Sequence, residues 1–451
     1  MSLRSRFTIA ISFIVFLVYF LGPRPSKVRS VVRNLFVTTD KPLRREWRAG
    51  PVPETQMAPH HLPGFSIFRN LYIFNGTIFI VTTRPESVPE PRLILSQGLE
   101  LRLEADNVPD QRTLSVVTPK EAKALFGDFA SLIDGVSFIQ TDGRQFLQHY
   151  YHFVVEIFAF WHWRCYTSPD YDEFLGGSLR DYPRRWIFPR VSFDDWIDRP
   201  RLNLWTLQAA FGGFTSLEFQ SDWDQRMGLH RPFVFDTVIL GDRAAWHRNP
   251  KWRELKEPKA LWPLRLRDNW WSPIRELVTT FAAPSLPPSR SSVKPVITYI
   301  SRQKTSRRLR QFDHLQLVSA LEDLCRKNDF ELSVPTMEDM PPHKQIHLLS
   351  RTTVLIGVHG NGLSGQLWLK PSPRTTVIEI FYPGGFIFDY EYVARVLGHT
   401  HYGVWNDTYF TAPNLPKVHG PPGFHGSDIP VSPNITELIY RRLTLPNPMD
   451  A

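Results

Sequence analysis

Between Val296 and Trp405 short apolar, β-branched runs alternate with helical stretches, and this alternation constrains the fold more than any other feature of the chain. The runs predict strands at 296–300, 330–334, 354–356, 376–381 and 401–405; the stretches between them predict helices at 314–326, 342–349, 363–369 and 390–397. Strands and helices in strict alternation with short connections specify a doubly wound parallel sheet. Such sheets bind ligands beyond the carboxyl ends of their strands. Two unusual segments fall at such ends. Arg302, Lys304, Arg307 and Arg308 crowd the loop after the first strand, and arginine forks suit phosphate oxygens. Gly357-Val-His-Gly-Asn-Gly362 follows the third, and a glycine-rich strand-to-helix turn offers close backbone approach and free N–H groups to an anion. It lacks the lysine of a P-loop, is not a strict G-x-G-x-x-G, and Gly362-Leu-Ser-Gly-Gln366 misses the last glycine of a nucleophile elbow.

The first half is less regular. Residues 65–139 read as strands broken by Gly and Pro, followed by an aromatic-rich helix at 150–166, a strand at 185–188, a helix at 202–211 and a strand at 233–240. The Pro- and Ser-rich stretch 282–292 reads as a linker, so the expected organisation is a half at 62–285 and a half at 293–451. Ahead of them, Phe7 to Leu21 carries no charge and is stopped by Gly22-Pro-Arg-Pro25. Residues 1–22 therefore read as an uncleaved signal anchor and 23–61 as a stem, giving a single-pass type II protein with its folded part in the lumen. Arg24, Lys27, Arg29 and Arg33 on the far flank pull against that orientation. Sequons at Asn75, Asn406 and Asn434 are candidate glycosylation sites in such a compartment.

Composition narrows the function. A chain of 451 residues that is 42% hydrophobic folds into more than one unit, and a net charge of +9 favours anionic partners. The basic residues are scattered, without the runs or aromatic interleaving of nucleic-acid modules, so no nucleic-acid partner is expected. Two cysteines, Cys165 and Cys325, exclude zinc ribbons and dense disulfide frameworks; they either pair or stand as buried thiols. In Gln148-His-Tyr-Tyr-His-Phe-Val-Val-Glu156 a helix brings His152 and Glu156 onto one face with His149 beside them. That grouping suits a general base with its orienting partner, or a pair of metal ligands short of a third. Asp170-Tyr-Asp172 and Asp222-Trp-Asp224 match D-x-D, a short pattern that arises easily by chance.

Taken together, Tyr150-Tyr-His-Phe-Val-Val-Glu156, Tyr299-Ile-Ser-Arg302 with Arg307-Arg-Leu309, Gly357-Val-His-Gly-Asn-Gly-Leu-Ser364 and Val377-Ile-Glu-Ile-Phe-Tyr-Pro383 resemble glycosyltransferase family 61. The resemblance runs from about residue 140 to 405, and departs from the family's usual Ala at Asn361 and usual Asn at Gly365. It implies an α/β, GT-B-like fold of two Rossmann-like halves facing a cleft, in a Golgi or endoplasmic reticulum membrane protein. It also implies an inverting enzyme that moves xylose, N-acetylglucosamine or arabinose from a nucleoside-diphosphate donor, UDP foremost, to a glycan or glycoprotein hydroxyl. On this chain Arg302 and Arg308 would hold the diphosphate, with His359, Gly360, Asn361 and Gly362 cradling it and Glu379 reaching a ribose or sugar hydroxyl. Glu156 and His152 stand as alternative bases. A divalent metal, Mn²⁺ or Mg²⁺, is the alternative to arginine for neutralising the diphosphate. The competing expectations are a catalytically inactive glycan- or nucleotide-sugar-binding protein on the same fold, and a luminal hydrolase, which lacks a nucleophile motif.

Overall fold

The computed structural model describes residues 44–59, 61–98, 108–159, 161–162, 174, 183–212, 215–248, 269–283 and 294–445. The expected anchor, the stem as far as residue 43, Cys165, Asp170, Asp172 and the linker from residue 284 lie outside the described residues. Contacts divide the chain after Arg45, and the elements described here belong to the unit that begins at Glu46. Among the described residues no helix is long and apolar enough to cross a membrane.

The first sheet contains β1 (Phe65–Phe74), β2 (Thr77–Val81), β3 (Leu114–Val117), β4 (Phe129–Gln140), β5 (Arg185–Ile187), β6 (Ser216–Glu218) and β7 (Phe233–Gly241), in the order β3-β2-β1-β7-β4-β5-β6. Strands β7, β4, β5 and β6 are parallel, but β1 runs antiparallel to both β2 and β7. The sheet is therefore mixed, where a Rossmann-like half calls for a parallel one. The reason is local: β1 and β2 are joined only by Asn75 and Gly76, with φ of 49° and 83°, and a two-residue turn of that hand joins antiparallel neighbours.

The second sheet contains β8 (Val296–Ile300), β9 (Glu331–Ser333), β10 (Val354–Val358), β11 (Thr376–Ile380), β12 (Thr400–Trp405) and β13 (Thr408–Phe410), in the order β9-β8-β10-β11-β12-β13. All pairs are parallel except β12 with β13. Counting from β8, the parallel order is 2-1-3-4-5, so the chain reverses direction across the sheet between β8 and β10. Both faces are covered, and β8, β10 and β11 are buried along their whole length, as expected of a doubly wound sheet. Helices Gln311–Asn328 (α1) and Ile435–Leu443 (α2) pack Leu317, Leu321 and Ile439 against one face. Helices Pro342–Arg351 (α3) and Asp389–Val396 (α4) pack Ile346, Leu349 and Val393 against the other. The helix expected at 363–369 is instead a 3₁₀ segment, Asn361–Trp368; Gly362 and Gly365 weaken α-helical propensity there.

One apolar cluster runs from Phe138, Trp186 and Ile239 of the first sheet to Ile300, Leu355 and Val377 of the second. Tryptophans stitch it together: Trp270 and Trp271 donate their indole N–H groups to the carbonyls of Val396 and Leu367 at 2.9 and 2.8 Å. Burial lowers the imidazole of His162, in this seam, to about 4 and that of His399 to about 3. Both stay neutral in the fold yet take a proton in the unfolded chain below about pH 6.5, so the unfolded state binds more protons and stability is lost as the pH is lowered. Each residue should remove on the order of 1 kcal/mol per pH unit between pH 6 and 5. Denaturant midpoints measured across that interval should fall; a flat profile in which His162→Phe makes no difference would contradict the buried, neutral state.

Candidate active site

The carboxyl ends of β8 and β10 lie side by side at the direction reversal, Ile300 pairing with Gly357. A cavity of about 410 Å³ opens above them. It is lined by the His359–Gly360 turn, by Arg302 and Arg307, and by His149 and His152 of the first half. Gly360 has φ 147°, a conformation L side chains rarely adopt, and a Cβ there would lie 2.0 Å from Arg302 Nη1. Only glycine lets that guanidinium settle on the turn.

Arg307 Nη1 donates to the His359 carbonyl at 2.8 Å, its Nη2 meets His425, and its guanidinium lies over the Phe424 ring. Its Nε is buried with no partner among the described residues. Burial lowers both guanidinium pKa values, for Arg307 with help from the neighbouring Arg302. Two crowded, half-buried cations with donors to spare are suited to an anion. Arg308, expected in this role, does not line the cavity: its Nη1 donates to the Thr305 carbonyl at 2.9 Å, shaping the loop that presents Arg302 and Arg307.

Across the cleft, His152 and Glu156 lie on a π-helical segment, His152–Ala159, whose apolar residues Phe153, Val154, Ile157 and Phe158 are buried. His152 Nδ1 is 2.6 Å from Glu156 Oε2, and His152 borders the cavity while Glu156 sits behind it, 10% exposed. Arg243 Nε and Nη2 donate to the same carboxylate at 2.5 and 3.3 Å. Burial alone would raise the Glu156 pKa, but the Arg243 guanidinium and His152 outweigh it and hold the carboxyl well below its usual range. His149, packed 4.9 Å from the His152 ring, is lowered to about 4 by burial and by His152. Arg243 is anchored in turn through its backbone N–H, which donates to Asp142 at 2.8 Å; burial and the nearby Asp242 raise Asp142 to about 7.

Glu379 occupies a different place from the one expected. It lies within β11 and is fully buried, with Oε1 2.5 Å from His359 Nδ1 and Oε2 2.8 Å from His401 Nε2. Both its oxygens are engaged, so it supports His359 from below instead of meeting a sugar hydroxyl directly. Burial raises Glu379 and lowers His359 and His401, the last to about 3, so the cluster favours neutral forms. Asn361 Oδ1 accepts from the Tyr151 N–H at 3.0 Å, joining the glycine turn to the helix that carries His152. Gly362 packs against Ile300.

Other expected residues fall outside the cavity. Asp222 accepts from the Phe219 N–H at 2.8 Å and caps the helix Gln220–Met227, so Asp222-Trp-Asp224 is structural. Asn75, Asn406 and Asn434 are exposed. Cys325 is a buried free thiol. Among the described residues no group of three or more His, Cys, Asp or Glu side chains is arranged to hold a metal ion. Arg243, Asp389, Tyr390, Phe424 and His425 belong to the site and were not anticipated; Arg243, Phe424 and His425 lie far along the chain from the motifs, and Asp389 and Tyr390 follow the motif that ends at Pro383 with no local pattern to mark them.

The class defined by this fold and cleft is an α/β protein with two arginines and a glycine turn at a strand-end reversal and an imidazole–carboxylate pair in the same cleft. The sequence profile of the family described as Glycosyltransferase 61 matches residues 150–378, just over half of the chain, and the chain belongs to that family: it is a glycosyltransferase. No curated protein matches it. Among solved structures, the bacterial iron-containing dodecameric glycosyltransferase TibC from enterotoxigenic E. coli H10407 aligns over 68% of this chain and 75% of its own, at 10% identity and a TM-score of 0.27, too loosely to support an argument.

The Gly360 geometry gives a direct test. Gly360→Ala should cost about 1–3 kcal/mol of stability through backbone strain and push Arg302 off the turn. The expected result is a lower melting temperature together with at least about tenfold weaker binding of UDP by calorimetry; unchanged affinity would separate the turn from anion binding.

Proposed function

We propose that the chain is an inverting glycosyltransferase acting on a nucleoside-diphosphate sugar, UDP-linked xylose, N-acetylglucosamine or arabinose, with a glycan or glycoprotein hydroxyl as acceptor. One observation carries the reading: an imidazole oriented by an ionised carboxylate opens onto the same cavity as two crowded arginines and a glycine turn. The two sheets then act as the halves of a GT-B-like enzyme, the second binding the donor and the first the acceptor.

The chemistry follows from these positions. With Nδ1 held by Glu156, His152 removes the acceptor proton through Nε2 as the acceptor oxygen attacks the anomeric carbon opposite the diphosphate. Glu156 itself is a poor base, because Arg243 and His152 stabilise its ionised form. Arg302 and Arg307, with the N–H groups at the start of the Asn361–Trp368 segment, take up the negative charge that grows on the leaving diphosphate. His359, held by Glu379, presents its ring to the same cavity.

His152→Ala should lower kcat by about 10²–10⁴ with UDP affinity unchanged, and Glu156→Gln should lower kcat less because the base survives with a weakened orienting partner. Turnover near the wild-type rate in both would sink this assignment. In the same assay EDTA should leave activity largely intact, since arginines supply the positive charge; loss that Mn²⁺ or Mg²⁺ restores would give that role to a metal.

The uncharged segment from Phe7 to Leu21 and the exposed Asn75, Asn406 and Asn434 support a Golgi or endoplasmic reticulum membrane protein with a luminal catalytic region. Endoglycosidase treatment of the membrane-bound protein should then increase its gel mobility, and the Asn75→Gln, Asn406→Gln, Asn434→Gln triple variant should show no shift. A wild-type chain insensitive to the enzyme and digested by protease in sealed microsomes would overturn the luminal placement.

A further inference from the structure

A buried carboxylate beside an imidazole can be compensated in two ways. The imidazole can hold a second proton, giving an ion pair that cannot act as a base, or a separate cation can supply the charge and leave the imidazole neutral. The two imidazole–carboxylate groups of this chain differ in that respect. Glu379 hydrogen-bonds with His359 and His401, and burial raises its pKa. Glu156 meets Arg243 as well as His152, and against the effect of burial these two lower its pKa.

Arg243 is held for this contact from several directions. It is the first residue of the helix Arg243–His247, directly after β7. Its backbone N–H donates to Asp142 at 2.8 Å, and the preceding Asp242 caps the helix by accepting the Ala245 N–H at 2.8 Å. Asp242 in turn accepts from the Ser96 N–H and hydroxyl at 2.7 and 2.8 Å and from the Thr141 hydroxyl at 2.6 Å. The guanidinium, 13% exposed, is thereby delivered onto both oxygens of Glu156, Nε to Oε2 and Nη2 to Oε1. One fork on both oxygens fixes the plane of the carboxylate, and His152 Nδ1 meets the same Oε2 at 2.6 Å. Arg243 does not border the cavity, so it acts on the reaction through Glu156 and through its charge.

We propose that Arg243 is a positioning residue for the transfer reaction: it fixes Glu156 against His152 and, by balancing the carboxylate's charge, keeps the His152 imidazole unprotonated and able to take the acceptor's proton. The inference rests on the base role given to His152 above. Other charges surround that imidazole. His149 and Glu156 share its segment, His247 comes with Arg243 from the helix Arg243–His247, Asp389 from α4, and Arg302 and Arg307 from the basic loop. His247 is lowered to about 4 by burial and by Arg243, and His149 lies at a similar value, so neither is charged above about pH 5. Asp389 is raised to about 6 by burial and by Glu156, so it adds a second negative charge as the pH rises. Arg243 is the cation hydrogen-bonded to Glu156, and its removal leaves that carboxylate's charge facing His152 unbalanced.

Histidine-selective ¹⁵N spectra of the full-length chain, with His152 assigned by its loss in His152→Gln, read the titration directly. Removing a positive charge favours the imidazolium, so in Arg243→Gln the His152 midpoint should rise by about one pH unit, tenfold in proton affinity. The acid limb of kcat/KM should move up with it, with UDP affinity unchanged. Arg243→Lys keeps the charge and should stay near the wild-type midpoint, whereas Glu156→Gln should shift it downward. A role in packing alone would produce no such opposed shifts. If Arg243→Gln does not fold because Glu156 is left unpaired, Glu156→Gln is compared with the Arg243→Gln, Glu156→Gln double variant, whose midpoint should be higher by about one pH unit. A His152 midpoint indifferent to Arg243 overturns the proposal whatever the activity. A midpoint that moves while the kcat/KM limb stays in place confirms the charge balance but takes the base role from His152, so that the reading above falls.

Discussion

A carboxylate taken out of water needs basic partners, and two such carboxylates set the chemistry of both walls of this cleft. Glu156 sits between a guanidinium and an imidazole, Glu379 between two imidazoles. Arg243 carries a permanent charge, so Glu156 stays ionised and fixes the proton on His152 Nδ1. Among the described residues Glu379 has no such partner within hydrogen-bonding distance; its pKa rises while those of its imidazoles fall, and the cluster tends to neutrality. The same motif thus gives an imidazole oriented by an ionised carboxylate on one wall and an uncharged cluster on the other. Positive charge for an anionic ligand is then left to Arg302 and Arg307.

The two sheets that carry the walls are packed together. The indole N–H groups of Trp270 and Trp271 reach carbonyls of the second half, and the apolar cluster is continuous between the sheets. Burying a large apolar side chain in such a seam contributes roughly 1.5–3 kcal/mol. A cleft built this way suits a reaction that requires acceptor oxygen, anomeric carbon and diphosphate in line.

Much of the second half was legible because its signals are local. Strand and helix periods, the basic loop and the glycine turn each lie within a few residues of one another, and the 2-1-3-4-5 order brings the two loops together. The first half was less so: the Asn75-Gly76 hairpin that makes its sheet mixed is a two-residue signal among many Gly and Pro breaks. Arg308 was taken over Arg307 because adjacent arginines look alike in sequence; only the turn of the loop sends one to the cavity and the other to the Thr305 carbonyl. Glu379 was misplaced for a related reason. Its position next to the strand end suggested a ligand contact, whereas the register pairs it with Gly357 and Gly403 in mid-sheet, under His359. Arg243 is 87 residues from its partner Glu156, a separation at which spacing carries no information.

The two departures from the family's usual residues also read differently in three dimensions. The Asn361 side chain accepts the Tyr151 N–H, at the start of the helix that presents His152. An alanine there would leave that N–H without this acceptor, so Asn361 ties the helix that carries His152 to the glycine turn. At position 365 a Cβ would lie 2.7 Å from Leu349 Cδ1, so asparagine would displace Leu349. Gly365 and Leu349 therefore go together as a packing pair. Both departures act on how the cleft is assembled: Asn361 through its Oδ1 and the Tyr151 N–H, Gly365 through the room it leaves for Leu349.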